Sequence, residues 1–214
     1  YRAFSRTMAS FKPTLQAALF NQNPADLVFI VHAQTPVSLL DMFFSLVHQK
    51  HGRWGLWICE SAKTTTQVRR LSWELGALDA RVKVIQSRAQ VSGCKVKSWV
   101  YLPHNCILSF DAVFELVTLA GLSSSFQRIT ADVERWVDIS PLESPMRCYG
   151  RQPEDLLSSY SPSVEAVEGI RELVEPMVVY AGGIDHVTAT ELNPKAAYAH
   201  VPKLLYRLVE FSVI

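Results

Sequence analysis

The strongest indication of the fold is Asp26-Leu-Val-Phe-Ile-Val-His32, followed directly by Ala33-Gln34-Thr35-Pro36. Its apolar run is rich in β-branched and aromatic side chains, which is typical of a strand buried on both faces in a parallel sheet. Thr35 can cap a helix that accepts Pro36 in its first turn. The stretch therefore predicts a strand, a loop and a helix. We expect the buried face of that helix to comprise Leu40, Phe43, Phe44 and Val47.

The alternation of strand and helix continues over roughly the first 121 residues. Further strands are predicted at 54–60, 82–85 and 98–102. Further helices are predicted at 63–75, with Gly76 as the stop, and at 111–119, ending near Gly121. Strands that alternate with helices favour an α/β fold with a mostly parallel sheet flanked by helices.

The pattern weakens beyond residue 121. Residues 122–160 mix polar residues, prolines and Trp136 without sustained periodicity, which predicts a loop-rich stretch. A helix is predicted from Pro162 to about Glu175, and a closing helix or strand at 203–213. Four other tryptophans (Trp54, Trp57, Trp73 and Trp99) fall on predicted strands or a helix, and we expect them to be buried.

Composition excludes several classes of protein. The 214 residues are 49% hydrophobic with a formal net charge of +1, so a sizeable core is expected and no global field favours binding to nucleic acid. The longest apolar runs are far shorter than the roughly 20 residues of a transmembrane helix. Because the first residue is Tyr1, we interpret the chain as trimmed or as part of a longer protein.

The cysteines favour a reducing compartment. Cys59, Cys94, Cys106 and Cys148 are widely spaced and form no Cys-x-x-Cys pair, so neither a zinc knuckle nor a disulfide framework is indicated. We therefore expect a cytoplasmic location, and peripheral association with a membrane stays open.

Four ordered stretches resemble a known family. They are Val31-His-Ala-Gln-Thr-Pro36, Trp54-Gly-Leu-Trp-Ile58 followed by Glu60-Ser-Ala-Lys63, Tyr101-Leu-Pro-His-Asn-Cys-Ile-Leu-Ser-Phe-Asp-Ala112, and His200-Val-Pro-Lys-Leu-Leu-Tyr206. In this order they resemble the motifs of glycosyltransferase family 2, whose GT-A fold is a Rossmann-like sheet. The resemblance covers most of the chain, with a gap at about 122–175, and Tyr1 to Pro13 resembles the lead-in of some polysaccharide enzymes. It implies one GT-A-like domain over 1–214, with a nucleotide-binding half (1–121) and an acceptor-side half (122–214).

The resemblance also implies a donor site for a nucleotide-diphosphate sugar. In the family, an Asp-x-Asp motif holds a divalent metal on the pyrophosphate, and here the two aspartate positions are Pro103 and Asn105. Proline offers no ligand and asparagine only a neutral carbonyl oxygen, so Mg²⁺ or Mn²⁺ should bind weakly and no metal site is assigned. The residues placed at the donor by the resemblance are Gln34, Glu60, His104 and Asn105.

The resemblance further implies a catalytic base, which in inverting members of the family is an Asp or Glu in the second half, within reach of the acceptor hydroxyl. The candidates are Asp185 and Glu191 near Gly182 and Gly183, and the alternative for both is an ordinary loop carboxylate. Two functions follow from the sequence. The first is a glycosyltransferase with an altered or lost metal site, acting on a nucleotide sugar and a glycan acceptor, and the second is a non-catalytic GT-A-like scaffold that binds other protein domains. A flavodoxin-like or other doubly wound binding domain stays open as a third class, because alternating strands and helices are common to many folds.

Overall fold

A computed structural model describes residues 25–86, 90, 96–122, 128–138, 146–150, 177–181 and 198–211. The helices are α1 (Pro36–Val47), α2 (Thr66–Leu78) and α3 (Ala112–Leu122). The strands are β1 (Leu27–Val31), β2 (Trp54–Cys59), β3 (Val82–Ile85), β4 (Ser98–Leu102), β5 (Cys106–Leu108), β6 (Arg128–Asp138), β7 (Met146–Gly150), β8 (Val179–Ala181) and β9 (Tyr198–Phe211). Within these ranges, no helix has the length and apolar character needed to cross a bilayer.

All of the described strands belong to one sheet, in the order β3-β2-β1-β4-β8-β6-β9-β5, with β7 paired to β6. The first four strands are parallel to one another, and β9 is parallel to β6. The other pairs are antiparallel: β8 pairs with β4 and β6, β5 pairs with β9, and β7 pairs with β6. The prediction of an α/β fold with a mostly parallel sheet flanked by helices is confirmed.

The parallel strands β1, β2 and β4 are buried on both faces. Alternate residues of β1 contact two separate apolar clusters: Leu27, Phe29 and Val31 pack with the helices, and Val28 and Ile30 pack on the opposite face. On that opposite face Trp99 stacks on Tyr180, with ring centroids 4.7 Å apart. Each fully buried large apolar side chain contributes about 1.5–3 kcal/mol. This burial explains why the decisive stretch is a continuous apolar run instead of an alternating one.

Helix α1 starts as the sequence predicts and buries a face one residue away from the predicted one. Thr35 is the N-cap, and its Oγ1 accepts a hydrogen bond from the Ser38 amide at 3.2 Å. Only Phe43 of the predicted face is fully buried, because the helix rotates so that its central core contacts are Leu39, Met42, Phe43 and Leu46. The other predicted residues, Leu40, Phe44 and Val47, are partly buried against the same cluster.

Both predicted boundaries of helix α2 are wrong. It begins at Thr66 instead of Lys63, because the Thr65 side chain caps it by accepting from the Val68 amide. Gly76 does not stop it: the helix continues to Leu78 and is capped at Asp79. Leu75 and Leu78 both pack on the core, which offsets the roughly 1 kcal/mol that a glycine costs inside a helix.

The second half contains strands where a loop-rich stretch was predicted. Strands β6 and β7 lie within 122–160, and Trp136 is part of β6, opposite Arg147, instead of in a loop. The predicted closing element is the long strand β9. Trp73 is a further correction, because its side chain on α2 is 55% exposed while Trp54, Trp57 and Trp99 are buried. The predicted helix at 162–175 lies outside the described residues.

Candidate functional site

Three parallel strands end together at one edge of the sheet, which we call the carboxyl edge. Val31 of β1 is level with Ile58 of β2 and Leu102 of β4. From β1 the chain adds β2 and then β3 on one side, and it then crosses back to add β4 on the other side of β1. The order of the strands therefore reverses between β1 and β4. Open α/β sheets bind ligands outside the carboxyl ends of the strands, beside such a reversal. The segments that follow His32, Glu60 and Leu102 therefore form the candidate site.

Glu60 is the most unusual group at this edge. Its main chain is fixed, because its amide donates to the Ile85 carbonyl oxygen at 2.8 Å and thereby extends the pairing of β2 with β3. The residue is only 8% exposed. Within the described part of the chain, its Oε1 is buried and has no hydrogen-bond partner. A buried acceptor without a partner typically costs about 1–3 kcal/mol, and more when it is charged, so any donor brought to this oxygen would relieve a penalty that the fold carries.

The second oxygen of Glu60 has only long contacts. Gln86 Nε2 lies 3.4 Å from Oε2, and Arg69 Nε lies 3.6 Å from it. Both distances exceed the usual 2.7–3.2 Å of a strong N–H···O bond. The side chains of Gln86 and Arg69 are exposed, so they can rotate away from the carboxylate as a ligand approaches. Both carboxylate oxygens thus keep capacity to accept hydrogen bonds.

The segment after β1 places a buried histidine and an exposed glutamine at the same edge of the sheet. His32 is buried, and its ring centroid lies 6.3 Å from that of Tyr101 at the end of β4. Gln34 is exposed two residues later, just before the cap of α1. Sequence reasoning singled out Gln34 and passed over His32, although a polar residue that ends an apolar strand is the signal that would have found it.

His104 follows β4 at the same edge. It is half-buried, and desolvation by this burial lowers the pKa of its imidazole below the usual value. The neutral imidazole therefore predominates at pH 7. It can donate one hydrogen bond to a phosphate oxygen, but it does not supply a positive charge.

Asn105 is engaged by the last strand. Its Nδ2 donates to the Val209 carbonyl oxygen at 2.8 Å, and the Val209 amide donates to the Asn105 carbonyl oxygen at 3.0 Å. Its Oδ1 is buried and has no partner among the described residues. The side chain therefore ties the turn after β4 to β9.

The residues that the resemblance places at the Asp-x-Asp positions do not fit a divalent metal. Pro103 has no side-chain ligand, and the Asn105 amide is held against β9. His104 is a single nitrogen ligand of the kind that Mg²⁺ and Mn²⁺ do not favour. In the described ranges, no three His, Cys, Asp or Glu side chains come together in a group that could hold a metal ion.

A hydroxyl, an imidazole and a carboxylate meet on β6 and β9. The Thr130 hydroxyl lies 2.9 Å from His200 Nδ1, and His200 Nε2 lies 3.0 Å from Asp132 Oδ1. A carboxylate only accepts, so in the neutral ring Nε2–H donates to Asp132 and Nδ1 accepts from Thr130. Thr130 is 1% exposed and out of reach of a substrate, so the group fixes the pairing of the strands next to a β-bulge. Sequence reasoning missed it because 68 residues separate Asp132 from His200.

The structure brings together some of the predicted site residues. Gln34, Glu60 and His104 lie on segments at the carboxyl edge, and Asn105 lies there with its side chain turned to β9. The two candidate bases, Asp185 and Glu191, lie outside the described residues.

The fold is similar to that of several solved structures. It matches Staphylococcus aureus TarS 1–349 in complex with UDP (TM-score 0.55, 10% identity, 86% of this chain and 60% of that chain). It matches TarS 1–349 in complex with UDP-GlcNAc (TM-score 0.55, 8% identity, 86% of this chain and 58% of that chain). It also matches the mannosyltransferase PcManGT from Pyrobaculum calidifontis in complex with GDP-Man and Mn²⁺ (TM-score 0.50, 10% identity, 92% of this chain and 62% of that chain).

These neighbours are glycosyltransferases of the GT-A type, and the chain has a GT-A-type fold. It spans about 60% of the length of the TarS 1–349 chain. No protein-family model matches the sequence, and no curated protein matches it.

Proposed function

We propose that the chain is a glycosyltransferase family 2-like domain that binds a nucleotide-diphosphate sugar at the carboxyl edge of its sheet. The observation that carries the proposal is Glu60, whose buried carboxylate has an oxygen without a partner among the described residues. The group stands at the end of a parallel strand, where ligands of open α/β sheets bind. A ligand N–H or O–H donor would satisfy this oxygen and would be favoured by the absence of competing water.

In this proposal each residue has a distinct role. Glu60 accepts hydrogen bonds from the nucleobase or ribose, and the exposed Gln34 contacts the nucleotide from the segment after β1. The neutral imidazole of His104 donates to the diphosphate. Asn105 holds the turn that carries His104, through its bond to Val209. Residues 1–121 then form the nucleotide-binding half and 122–214 the half that meets the glycan acceptor.

Glycosyl transfer requires a base for the acceptor hydroxyl, and we propose Asp185 or Glu191 for that role. The usual metal ligands are replaced by Pro103 and Asn105, so we expect the site to bind the nucleotide without Mg²⁺ or Mn²⁺. The diphosphate would then be held by hydrogen-bond donors such as His104.

A cytoplasmic location accompanies this proposal, with membrane association left open. Cys59 and Cys106 are free, buried thiols. Burial raises the pKa of the Cys59 thiol to about 12, so it stays protonated and unreactive at neutral pH. Both features are compatible with a reducing compartment.

The second candidate is a non-catalytic GT-A-like scaffold that binds other protein domains. The engagement of Asn105 favours it, because the side chain at a family metal position has become part of the contact between the turn and β9. Pro103 at the other position favours it as well. A scaffold of this kind needs no nucleotide.

Isothermal titration with UDP, GDP and one sugar nucleotide, each with and without Mn²⁺, distinguishes the two. We expect micromolar binding that does not depend on Mn²⁺ and that weakens roughly tenfold or more in Glu60→Ala, which removes the acceptor. Glu74→Ala is the matched control, because Glu74 is an exposed glutamate on α2 that pairs with Arg70. Absence of binding in every condition contradicts the nucleotide proposal and supports the scaffold.

A further inference from the structure

The outer face of helix α3 is uncharged although it is exposed. The helix contains one charged residue, Glu115, whereas α2 contains three. Its most exposed positions are Phe114, Thr118 and Gly121, which lie on one face because they are spaced by four and three residues. A helix that is apolar on nearly all sides is normally covered, so this face is suited to contact something outside the fold.

An apolar patch begins where this helix begins. Phe110, just before the helix, is 57% exposed, and Phe114, one turn later, is 48% exposed. Leu204 of β9 is 40% exposed, and it lies nearby because the Ser109 amide donates to the Leu205 carbonyl oxygen at 3.0 Å. We call Phe110, Phe114 and Leu204 the apolar patch. They are three of the five large apolar side chains that are exposed in the described ranges.

The carboxylates next to the patch are paired with a cation. Lys203 Nζ lies 2.7 Å from Asp111 Oδ2 and also contacts Glu115 Oε1. The lysine therefore offsets much of the negative charge that the first turn of α3 would otherwise present beside the patch.

Further cations lie on the other side of the patch, at the amino ends of the parallel strands. The Lys50 ammonium lies 4.3 Å from the centroid of the Phe110 ring, and the Lys50 amide donates to the Phe110 carbonyl oxygen at 3.0 Å. The next residue, His51, contacts Asp26. Two more cations contact the same carboxylate, Arg53 and Lys97. Together with Lys203, these Lys and Arg side chains outnumber the three carboxylates that they contact or adjoin.

The sequence adds more positive charge next to this group. Residues 1–24 contain Arg2, Arg6 and Lys12 and no acidic residue. They are joined to the fold one residue before Asp26, whose contacts adjoin the patch. The net charge of the whole chain is only +1, so this end of the molecule is more basic than the remainder.

We propose that the apolar patch docks on the surface of a lipid bilayer that contains anionic phospholipid. Exposed Phe and Leu side chains are stabilised at the boundary between headgroups and acyl chains, and neighbouring Lys and Arg side chains are attracted to anionic headgroups. In this arrangement Phe110 and Phe114 enter the boundary, and Lys50 donates to a lipid phosphate beside them. The carboxyl edge lies at the other ends of the strands and stays open to water.

A second copy of the chain is the main alternative occupant of the patch. Two copies related by a two-fold axis would place the same surface against itself. Lys50, Arg53 and Lys97 of both copies would then approach one another, and like charges that meet across an interface weaken association. An anionic membrane has the opposite sign. The charge around the patch therefore favours the membrane.

The test is co-sedimentation of the chain with vesicles of phosphatidylcholine, alone or mixed with phosphatidylglycerol. We expect binding to the mixed vesicles to be roughly tenfold or more stronger and to weaken as salt is added. The combined substitution Phe110→Ser and Phe114→Ser should weaken binding to the mixed vesicles roughly tenfold or more, because apolar area is lost. Lys50→Glu should weaken it about fivefold or more, because an attraction becomes a repulsion.

Two matched controls lie away from the patch. Trp73→Ser removes another exposed aromatic side chain, which is 55% exposed on α2. Lys63→Glu makes the same change of charge at an exposed position after β2, at the opposite ends of the strands. Both should leave vesicle binding within about twofold of that of the unchanged chain. A thermal melt of each variant checks that it folds.

Several results would overturn the proposal. The first is absence of binding to the mixed vesicles. The second is binding that the combined phenylalanine substitution leaves unchanged, and its loss on replacing Arg2, Arg6 and Lys12 by Gln would then assign the contact to residues 1–24. The third is a dimer, measured by light scattering, that the phenylalanine substitution dissociates, because it would assign the patch to a second copy. Nucleotide titration is a separate measurement, so the proposed function stands or fails independently of these results.

Discussion

Two buried carboxylates at opposite ends of the sheet have opposite surroundings. Asp26, just before β1, meets Lys97 Nζ at 2.7 Å, His51 Nε2 at 3.1 Å and Arg53 Nε at 3.2 Å. Glu60, just after β2, has one oxygen with no partner among the described residues and one with only long contacts. Both residues are 8% exposed. Burial is therefore equal, and only the supply of partners differs.

This difference separates stabilising charges from groups kept available for binding. Asp26 connects the segments that precede β1, β2 and β4. Its contacts therefore hold three strands together at their amino ends, which we call the amino edge of the sheet. Glu60 contributes no comparable contact and carries the desolvation penalty of an unsatisfied acceptor. Natural proteins retain such penalties mainly at functional sites.

The largest expected contrast is in stability. Asp26→Ala should lower the free energy of unfolding by about 2–3 kcal/mol, because hydrogen bonds to a charged group are lost and its partners are left without their anion. Glu60→Ala should not lower the free energy of unfolding and should raise it by up to about 1–3 kcal/mol, because the desolvation penalty of the unsatisfied oxygen is removed. Urea denaturation of both variants measures the difference. Equal losses in the two variants would remove the distinction between the two carboxylates.

A second contrast concerns Asn105, which shares the carboxyl edge with Glu60 but has a partner. Asn105→Ala should cost about 1 kcal/mol, and Asn105→Asp about 2 kcal/mol, because a carboxylate would face the Val209 carbonyl oxygen. We expect Mn²⁺ to leave the thermal midpoint of Asn105→Asp unchanged, because Pro103 still supplies no ligand. A rise of several degrees with Mn²⁺ would contradict this expectation and show that a metal site can be formed at this turn.

The smallest effect is the pH dependence of stability. Burial alone would raise the pKa of Asp26, but the hydrogen bonds from Lys97 and His51 and the charge of Arg53 outweigh it and lower the pKa. The hydrogen bond from Lys203 likewise lowers the pKa of Asp111. A folded pKa below the unfolded value means that the stabilisation is present above about pH 4 and is lost as the pH falls through the folded pKa. Asp26→Asn should therefore flatten the fall in the free energy of unfolding below pH 4. An unchanged slope would contradict the role given to the Asp26 contacts.

The parts of the fold that depend on local sequence could be predicted. The run Leu27–Val31 and the cap at Thr35 need only their own neighbours, and both appear as expected. The face of α1 was shifted by one residue because apolar side chains occupy both candidate faces, and the packing against the sheet decides between them. Gly76 stayed helical because Leu75 and Leu78 are held by the core.

The remainder depends on contacts between distant residues. Strand β6 pairs with β9, and no local pattern in residues 128–138 predicts a partner strand about 70 residues away. The Asn105 side chain could be placed near the donor by resemblance, but its bond to Val209 spans 104 residues. Glu60 could be located from its position after a strand, whereas its unsatisfied oxygen appears only once Gln86 and Arg69 are positioned around it.

We expect the carboxyl edge of the sheet to bind nucleotide and the opposite edge, where Asp26 lies, not to bind it. Amide chemical-shift mapping of ¹⁵N-labelled chain titrated with GDP tests it most directly, by following Gln34 and Glu60 at one edge and Asp26 and Lys97 at the other. We expect saturable shifts at the carboxyl ends of β1, β2 and β4, with the amides beside Asp26 unmoved. Shifts confined to the amino edge, or none at millimolar GDP and UDP, would contradict it.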